Sequence, residues 1–512
     1  MKKKLLVVFV LMIGLITFQL TINANETENF SSSFSYQETN PMYPSTTSVN
    51  NKKKMMTSKK AEVKNTIDLS DYIENKTKIA ENIRDNAVAR NTVFTIYTKV
   101  KQSKRMTQSD FNNYISELLQ TTMSEELANN SSAGDYLKWS WKRYEVNSAY
   151  AQREEKTNYV YYFNLTFYFD YYTTYEQERV LDQSVQSYIH HAIDRTKDSD
   201  YDKVKKIHDF ICTNITYDYT NLNNSNYFLK YTAYAAMQNK TGVCQGYAAL
   251  YYKMLKESGF SNIRIITSST HAWNIVRLGP MYYHVDTTWD SENKNYPYFL
   301  RGDNYFNSLK EHTKNKELTT ISFRSKYPIH SKDYNKENIT ISLKNCKLSN
   351  LSKNYTYTGK AIVPNVCVTY EDYTLVKGKD YNLTLKNNKK IGVATLEIKG
   401  IGYFKDKITN QKFTIIPPKV TIYQPKKGVK KLIVKWKKVN IATGYMIEYS
   451  TNKNFKANKT KKVTIKSKKT VSKTIRRLKK RQKYYIRIKS YSKVKGKTYY
   501  SKYSKVKNQK TK

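Results

Sequence analysis

Three residues in the middle of the chain have the types and the order that acyl transfer by a cysteine requires. Cys244 lies in the stretch GVCQGYA, His271 opens the stretch HAWN, and Asp286 lies in HVDTTWD. In such chemistry a thiolate attacks an amide or ester carbonyl, an imidazole moves the proton, and a carboxylate orients the imidazole. The sequence therefore predicts a thiol–imidazole–carboxylate catalytic triad.

A helix is predicted to begin at Cys244 and to stop at Gly259. Apolar residues after Cys244 recur at helical spacing, at Tyr247, Leu250, Tyr251, Met254 and Leu255. At a helix N-terminus, the dipole and the free N–H groups favour thiolate over thiol. The flanking Gly242 and Gly246 permit close backbone approach, which favours a catalytic cysteine over a buried apolar one.

Two short strand-like runs follow, at residues 273–278 and 281–285, and Gly279-Pro280 between them is a turn signal. The runs are predicted to form a hairpin. Because His271 and Asp286 stand at its edges, the hairpin would bring imidazole and carboxylate together, facing the thiol.

These stretches resemble those of the transglutaminase-like superfamily, a papain-related α+β fold. The similarity covers roughly residues 181–330 and includes KVKKIHDFICTNITYDY at 203–219, the YYHV lead-in to Asp286, and YFL at 298–300. The resemblance implies that Cys244 is the nucleophile, that His271 is the general base and acid, and that Asp286 holds the imidazole.

The sequence also suggests residues for the oxyanion site and a role for the second histidine of the hairpin. The backbone N–H of Cys244 is the natural first oxyanion donor, and Gln245 is a candidate for the second. His284 is interpreted as a structural neighbour of Asp286, with a supporting role as the alternative. No HExxH or CxxC spacing occurs among the seven histidines and four cysteines, so neither metal nor cofactor is predicted.

The predicted function is a secreted or surface-associated cysteine enzyme that acts on peptide or protein amides. Water as the acyl acceptor would make it a peptidase or amidase, and an amine would make it a transglutaminase. The resemblance favours hydrolysis and leaves both outcomes open. The alternative class is a non-catalytic binding or adhesive surface protein that uses the core as a scaffold.

Length and composition predict several domains in the 512 residues. Residues 1–24 are interpreted as a signal peptide, with a retained membrane anchor as the alternative, and no later apolar run is long enough to span a membrane. Residues 25–65 are predicted to be a disordered polar linker. Residues 66–180 are predicted to be an α+β extension, in which the aromatic run at 159–172 is a core strand, with a sugar-binding platform as the alternative.

Beyond the catalytic domain (181–330), two all-β sandwiches are predicted. Residues 337–416 resemble bacterial Ig-like surface modules by their YTGK, DY, NN and GVATL segments. Residues 418–512 resemble a fibronectin type III domain, with Trp436 buried and Tyr484 forming a tyrosine corner. Cys346 and Cys367 fall in one module, and a disulfide between them is a hypothesis that the sequence leaves open.

Positive charge is concentrated in the last of these segments. The chain has a net charge of +47, and residues 418–512 hold 33 basic residues against one acid, Glu448, a net of +32. A single-sign surface binds polyanions with steep salt dependence, whereas a merely solvated surface mixes both signs. For an exported protein, the expected partner is an anionic cell-wall polymer and not nucleic acid.

Overall fold

The computed structural model describes residues 21–22, 34–39, 67–68, 71–155, 157–293, 295–336 and 339–512. The chain divides into two compact units between Tyr334 and Asn335. Apart from Thr21–Ile22, the predicted signal peptide (1–24) lies outside the described residues, as does most of the predicted linker (25–65). Among the residues described, no helix is both long and apolar enough to cross a membrane.

The first unit combines helices with two four-stranded sheets. Its α-helices are α1 (Lys76–Val88), α2 (Gln108–Thr122), α3 (Asp135–Lys138), α4 (Tyr175–Ala192), α5 (Asp200–Asn214), α6 (Cys244–Glu257), α7 (Thr287–Ser291), α8 (Asp303–Phe306) and α9 (Ile321–Lys326). Its strands are β1 (Thr21–Ile22), β2 (Ser35–Thr39), β3 (Ile67–Asp68), β4 (Val93–Gln102), β5 (Trp141–Glu155), β6 (Asn158–Tyr171), β7 (Thr216–Tyr217), β8 (Thr241–Gly242), β9 (Ile263–Thr267), β10 (Ala272–Leu278), β11 (Met281–Val285) and β12 (Phe299–Arg301). The sheets run in the orders β2-β5-β6-β4 and β12-β11-β10-β9.

The aromatic run of β6 is a core strand, as predicted. One face of the strand is buried along its length, at Tyr161, Phe163, Leu165, Phe167 and Phe169. They share one hydrophobic cluster with residues of α1 and α2. Full burial of each such side chain contributes about 1.5–3 kcal/mol, which accounts for the aromatic content without a ligand.

Strand β2 corrects the prediction that all of residues 25–65 are disordered. It pairs antiparallel with β5, from Ser35 opposite Asn147 to Thr39 opposite Arg143. Just before it, Phe34 stacks on Phe111 with 5.0 Å between ring centroids. The overlooked signal is the alternation of aromatic and polar residues at 34–36, because two aromatic rings suffice to anchor a short edge strand.

Helix α6 begins at Cys244 as predicted but is buried all round, whereas the sequence predicted one apolar face. Even Lys253 is fully buried. Its charge is compensated there, because its Nζ atom lies 2.6 Å from Asp182 Oδ1 and donates to Ser132 Oγ at 2.7 Å. Gly246 is required for close packing, since a Cβ atom there would lie 3.0 Å from the carbonyl oxygen of Lys230.

The predicted hairpin is confirmed. Strands β10 and β11 pair antiparallel, with Asn274 opposite Val285 and Leu278 opposite Met281. Gly279 takes the left-handed conformation (φ 72°) that the turn needs. Strand β9 pairs with the other edge of β10, and nearly every side chain of the hairpin is buried.

The second unit is all-β apart from short 3₁₀ turns in its described residues. The strands are β13 (Ile341–Ser342), β14 (Lys347–Ser349), β15 (Asn354–Thr356), β16 (Cys367–Tyr370), β17 (Tyr373–Thr374), β18 (Tyr381–Lys386), β19 (Gly392–Gly400), β20 (Phe404–Lys405), β21 (Lys407–Ile416), β22 (Lys426–Gly428), β23 (Lys431–Lys435), β24 (Gly444–Ser450), β25 (Thr460–Ile465), β26 (Ser472–Ile475), β27 (Lys483–Val494), β28 (Lys497–Tyr500) and β29 (Lys507–Lys510). The larger sheets run β15-β21-β19-β18, β22-β23-β26 and β25-β24-β27-β28, with β29 also on β27.

Two details of the last segment match its sequence features. Trp436 is buried against Tyr445, with 5.4 Å between ring centroids. The hydroxyl of Tyr484 accepts a hydrogen bond from the backbone N–H of Lys479 at 3.1 Å, which is the contact predicted for a tyrosine corner.

The hypothesised Cys346–Cys367 disulfide is not formed, and both cysteines are free thiols. Strands β14 and β16 pair with Ser349 opposite Cys367 and Lys347 opposite Thr369. In this register, Cys346 lies three positions before Ser349, the residue opposite Cys367. The two cysteines belong to the same module, but the strand pairing does not place them opposite each other.

Candidate active site

Cys244 is the first residue of helix α6, directly after Val243 as the N-cap. Val243 has no side chain that caps the helix, so the first N–H groups of α6 are not occupied by a cap. Cys244 is 6% exposed. This position gives a developing negative charge at Cys244 the favourable end of the helix dipole.

His271 stands just before β10 and is fixed by two contacts. Its backbone N–H donates to Ser268 Oγ at 3.0 Å, and its Nε2 lies 2.6 Å from Oδ2 of Asp286. A carboxylate only accepts hydrogen bonds, so Nε2 carries the proton and Nδ1 is the nitrogen left for other chemistry. Cys244 is among the groups that act electrostatically on this imidazole.

Asp286 caps helix α7 and is fully buried. Its Oδ1 accepts from the backbone N–H groups of Thr288 and Trp289, at 3.0 and 3.1 Å. Its Oδ2 accepts from His271, and also from Nε2 of His312 at 2.8 Å. Burial opposes its charge, but the two imidazoles hold the pKa of Asp286 well below its ordinary value.

The electrostatics favour a charged imidazole beside the thiol. Burial alone would lower the pKa of His271, but the charge and hydrogen bond of Asp286, joined by those of Cys244, raise this pKa to about 10. An imidazolium in contact with a thiol stabilises the thiolate. We therefore expect Cys244 and His271 to form an ion pair of thiolate and imidazolium, in which the buried carboxylate orients the imidazole.

His284 lies in a separate pair. Its Nδ1 accepts from the indole N–H of Trp273 at 2.9 Å, and its Nε2 lies 2.9 Å from Oδ1 of Asp303. An indole N–H only donates, so the proton of His284 is on Nε2. Burial lowers the pKa of His284 to about 4, so the ring stays uncharged at neutral pH.

The Gln245 side chain faces the N-terminal part of the first unit. Its Nε2 donates to the carbonyl oxygen of Trp139 at 2.9 Å, and the side chain is 1% exposed. One of its two amide N–H groups therefore has a partner already. Its role as an oxyanion donor stays a prediction.

A second cysteine, histidine and aspartate meet in the same unit. Cys212 Sγ lies 3.4 Å from Nε2 of His208, and this nitrogen lies 2.9 Å from Oδ2 of Asp290. Burial, with the nearby charges of Asp290 and Asp209, raises the pKa of Cys212 far above that of an ordinary thiol. Because the other oxygen of Asp290 accepts from the backbone of Tyr298 at 2.9 Å, this group fixes the segment after α7.

The two thiols are expected to differ sharply in reactivity. In the native protein, iodoacetamide should alkylate Cys244 at about pH 6, while Cys212 should react only after unfolding, because alkylation requires the thiolate. Peptide mapping by mass spectrometry after timed labelling measures both. Equal, slow labelling of the two cysteines at neutral pH would contradict the ion pair.

His271, Asp286 and His312 are the described residues whose atoms lie close enough together to hold a metal ion. Their nitrogen–oxygen separations of 2.6 and 2.8 Å are hydrogen-bond distances. Two ligands on a tetrahedral zinc ion lie about 3.3 Å apart. The arrangement fits hydrogen bonding better than metal binding, and the expectation of no cofactor stays a prediction.

His312 is the residue that the sequence analysis missed. It ends a 3₁₀ turn (Lys310–His312), 26 residues after Asp286. A single histidine in a polar stretch gives no periodic or motif signal, and only the folding of that segment over the hairpin brings it to the carboxylate.

Comparison with known proteins identifies a family for the middle of the chain. The family model described as the Transglutaminase-like superfamily matches residues 188–287, which include Cys244, His271 and Asp286. The chain thus contains a transglutaminase-like domain, followed by a region of β-sheets. No curated protein is similar enough to match.

Several solved structures are similar to parts of the chain. A computationally redesigned β-sandwich protein is 18% identical, with 18% of this chain and 93% of that chain covered and a TM-score of 0.15. A structure titled "Myokine structure" has the same identity and TM-score, with 18% and 90% covered. The FN1–FN3 domains of chicken CNTN1 are 14% identical, with 34% and 64% covered and a TM-score of 0.17. Likenesses of this size say nothing about activity.

Proposed function

We propose that the protein is a cysteine enzyme that transfers acyl groups from peptide amides through Cys244, His271 and Asp286. The observation that carries the proposal is the 2.6 Å contact between His271 and Asp286, with the same imidazole paired to the thiol at the start of α6. A scaffold or adhesive protein needs none of these contacts, so the intact arrangement favours the enzyme over that alternative.

The reaction follows from the positions of the groups. The Cys244 thiolate attacks the amide carbonyl carbon, and the oxyanion that forms accepts from the Cys244 backbone N–H. His271 gives its proton to the leaving amine as the carbon–nitrogen bond breaks, which leaves an acyl-thioester. Water or a second amine then attacks the thioester while His271 takes a proton from this attacking group, and the thiolate is released as the carbon–sulfur bond breaks.

The acyl acceptor decides between a peptidase or amidase and a transglutaminase. Within the proposal, we favour hydrolysis, on the resemblance alone. A papain-like arrangement of the core, an Ig-like identity for residues 337–416 and a fibronectin type III identity for residues 418–512 belong to the same proposal.

The proposed activity is tested with an amide-bearing active-site probe and mass spectrometry of the intact protein. A covalent acyl adduct on Cys244 is expected, and Cys244→Ala should form none while keeping the wild-type circular dichroism spectrum. Release of the adduct in ¹⁸O-labelled water, with and without a primary amine, separates hydrolysis from transfer. A folded wild-type protein that never forms the adduct with a range of peptide amides would favour the scaffold alternative.

We also propose export and retention on an anionic cell wall. The sequence of residues 1–24 supports export, and the charge of the C-terminal segment supports retention. None of the 33 basic side chains in residues 418–512 is buried. The one acid, Glu448, is buried and paired with Arg487, whose Nη2 lies 2.6 Å from Oε2 of Glu448, so it does little to offset the surface charge.

Binding to purified teichoic acid is expected to be strongly salt-dependent. Each lysine–anion contact releases a counterion, so affinity should fall about a hundredfold or more between roughly 50 and 200 mM salt. Sedimentation of the full chain with the polymer measures this, and a chain ending at residue 416 is the control that should stay in solution. Binding by the shortened chain, or no binding by the full chain at low salt, would overturn the retention proposal.

A further inference from the structure

Asp286 binds a second imidazole, that of His312, which is buried and held by contacts of its own. His312 is fully buried, and its Nε2 donates to the same Oδ2 atom that accepts from His271. Its ring is enclosed edge-on by three aromatic side chains, with centroid separations of 4.9 Å to Trp273, 4.5 Å to Trp289 and 4.5 Å to Phe306. Its orientation is therefore fixed independently of His271.

The contacts of Asp286 explain what a second donor does. Two backbone N–H groups hold Oδ1, and two imidazoles hold Oδ2, so the fully buried carboxylate has four hydrogen bonds. A buried carboxylate is costly unless its acceptors are filled. With His271 as its sole partner, Oδ2 would lose part of the stabilisation that keeps it charged and in place.

We infer that His312 is a positioning residue for the reaction, which orients Asp286 and keeps it ionised so that Asp286 in turn holds His271. This inference rests on the proposed function. His312 itself stays away from the reacting atoms, because its Nε2 faces the carboxylate and its Nδ1 is buried without a hydrogen-bond partner in the part of the chain that the structure describes.

The charged groups around His312 support this role. Asp286 and His271 face it from α7 and from the start of β10, with 5.1 Å between the His271 and His312 ring centroids. On the far side of Phe306 lies the His284–Asp303 pair, in which Asp303 also contacts Lys314. Because Asp303 is already paired with Lys314 and accepts a hydrogen bond from His284, Asp286 is the carboxylate that His312 serves.

The test measures how fast iodoacetamide alkylates Cys244 in the full chain as a function of pH, which requires no known substrate. In His312→Phe and His312→Leu, Asp286 loses a donor and is protonated more easily, so the ion pair should be lost about one pH unit higher on the acid side. The alkylation rate of Cys244 at its optimal pH should fall about tenfold. His312→Gln, whose amide N–H can replace Nε2–H, should restore most of the alkylation rate and most of the shift in pH.

Phe306→Leu is the matched control, since it disturbs the packing around His312 and leaves the hydrogen bond intact. It should lower the unfolding temperature without moving the acid limb of the labelling profile. The inference is overturned if both donor-lacking variants label like the wild type, if His312→Gln restores nothing, or if Phe306→Leu moves the acid limb equally. A wild type that fails to label below neutral pH would instead overturn the ion pair and with it the proposed function.

Discussion

Replacing His271 with alanine is expected to abolish turnover of peptide amides almost as completely as replacing Cys244. The thiol and the imidazole act as one unit, because the imidazole both sustains the thiolate and protonates the leaving amine. The loss for either variant should be about 10⁴-fold or more, and the double variant should be no worse than either single one. Single-turnover formation of the acyl adduct measures each case.

The same variant makes a prediction that is independent of the substrate. Without the imidazolium, Cys244 becomes an ordinary thiol, of which under about 1% is ionised at pH 6. Alkylation of Cys244 at that pH should slow about a hundredfold in His271→Ala.

His284→Phe is the matched control for His271→Ala. It removes the other imidazole of the hairpin, which contacts Asp303 and Trp273 and not the thiol. It should leave the acid-side labelling of Cys244 in place. If His284→Phe were the more damaging change, the base would be wrongly assigned.

The local elements of the site could be predicted from the sequence. Helix α6 begins at Cys244 and the hairpin pairs across Gly279, because the 3.6-residue apolar spacing and the turn dipeptide are local signals. The predicted hairpin was enough to anticipate that His271 and Asp286 would meet, because adjacent antiparallel strands bring residues at the two ends of a hairpin together.

Tertiary contacts account for what the sequence did not reveal. The His312–Asp286 and His208–Asp290 contacts join residues that are far apart in the sequence. No local spacing of residue types predicts such contacts. The burial of Lys253 was equally hidden, because it requires Asp182 on a different helix. Strand β2 was missed for another reason: polar composition outweighed a two-residue aromatic alternation.

Asp286→Asn is expected to be more harmful to activity than Asp286→Ala, although asparagine has nearly the shape of aspartate. The backbone N–H groups of Thr288 and Trp289 require an acceptor at the Oδ1 position, so the asparagine oxygen must stay there. Its NH₂ group then faces His271 and donates. The imidazole must accept at Nε2 and therefore carries its proton on Nδ1, toward Cys244.

An imidazole in that tautomer offers no base to the thiol and no charge to stabilise a thiolate. The expected loss for Asp286→Asn is about 10³- to 10⁴-fold, as for a triad held in the wrong tautomer. Alanine leaves the tautomer free to change and should therefore cost less activity than asparagine does.

Stability should follow the opposite order. Asparagine is a good N-cap and keeps the two backbone hydrogen bonds of α7, whereas alanine loses them at a cost of about 1 kcal/mol. Thermal unfolding and adduct formation measured on both variants should therefore rank them oppositely, with Asp286→Asn the more stable and the less active. If asparagine were instead the more active of the two, Asp286 would not act by fixing the tautomer of His271, and its place in the triad would be lost.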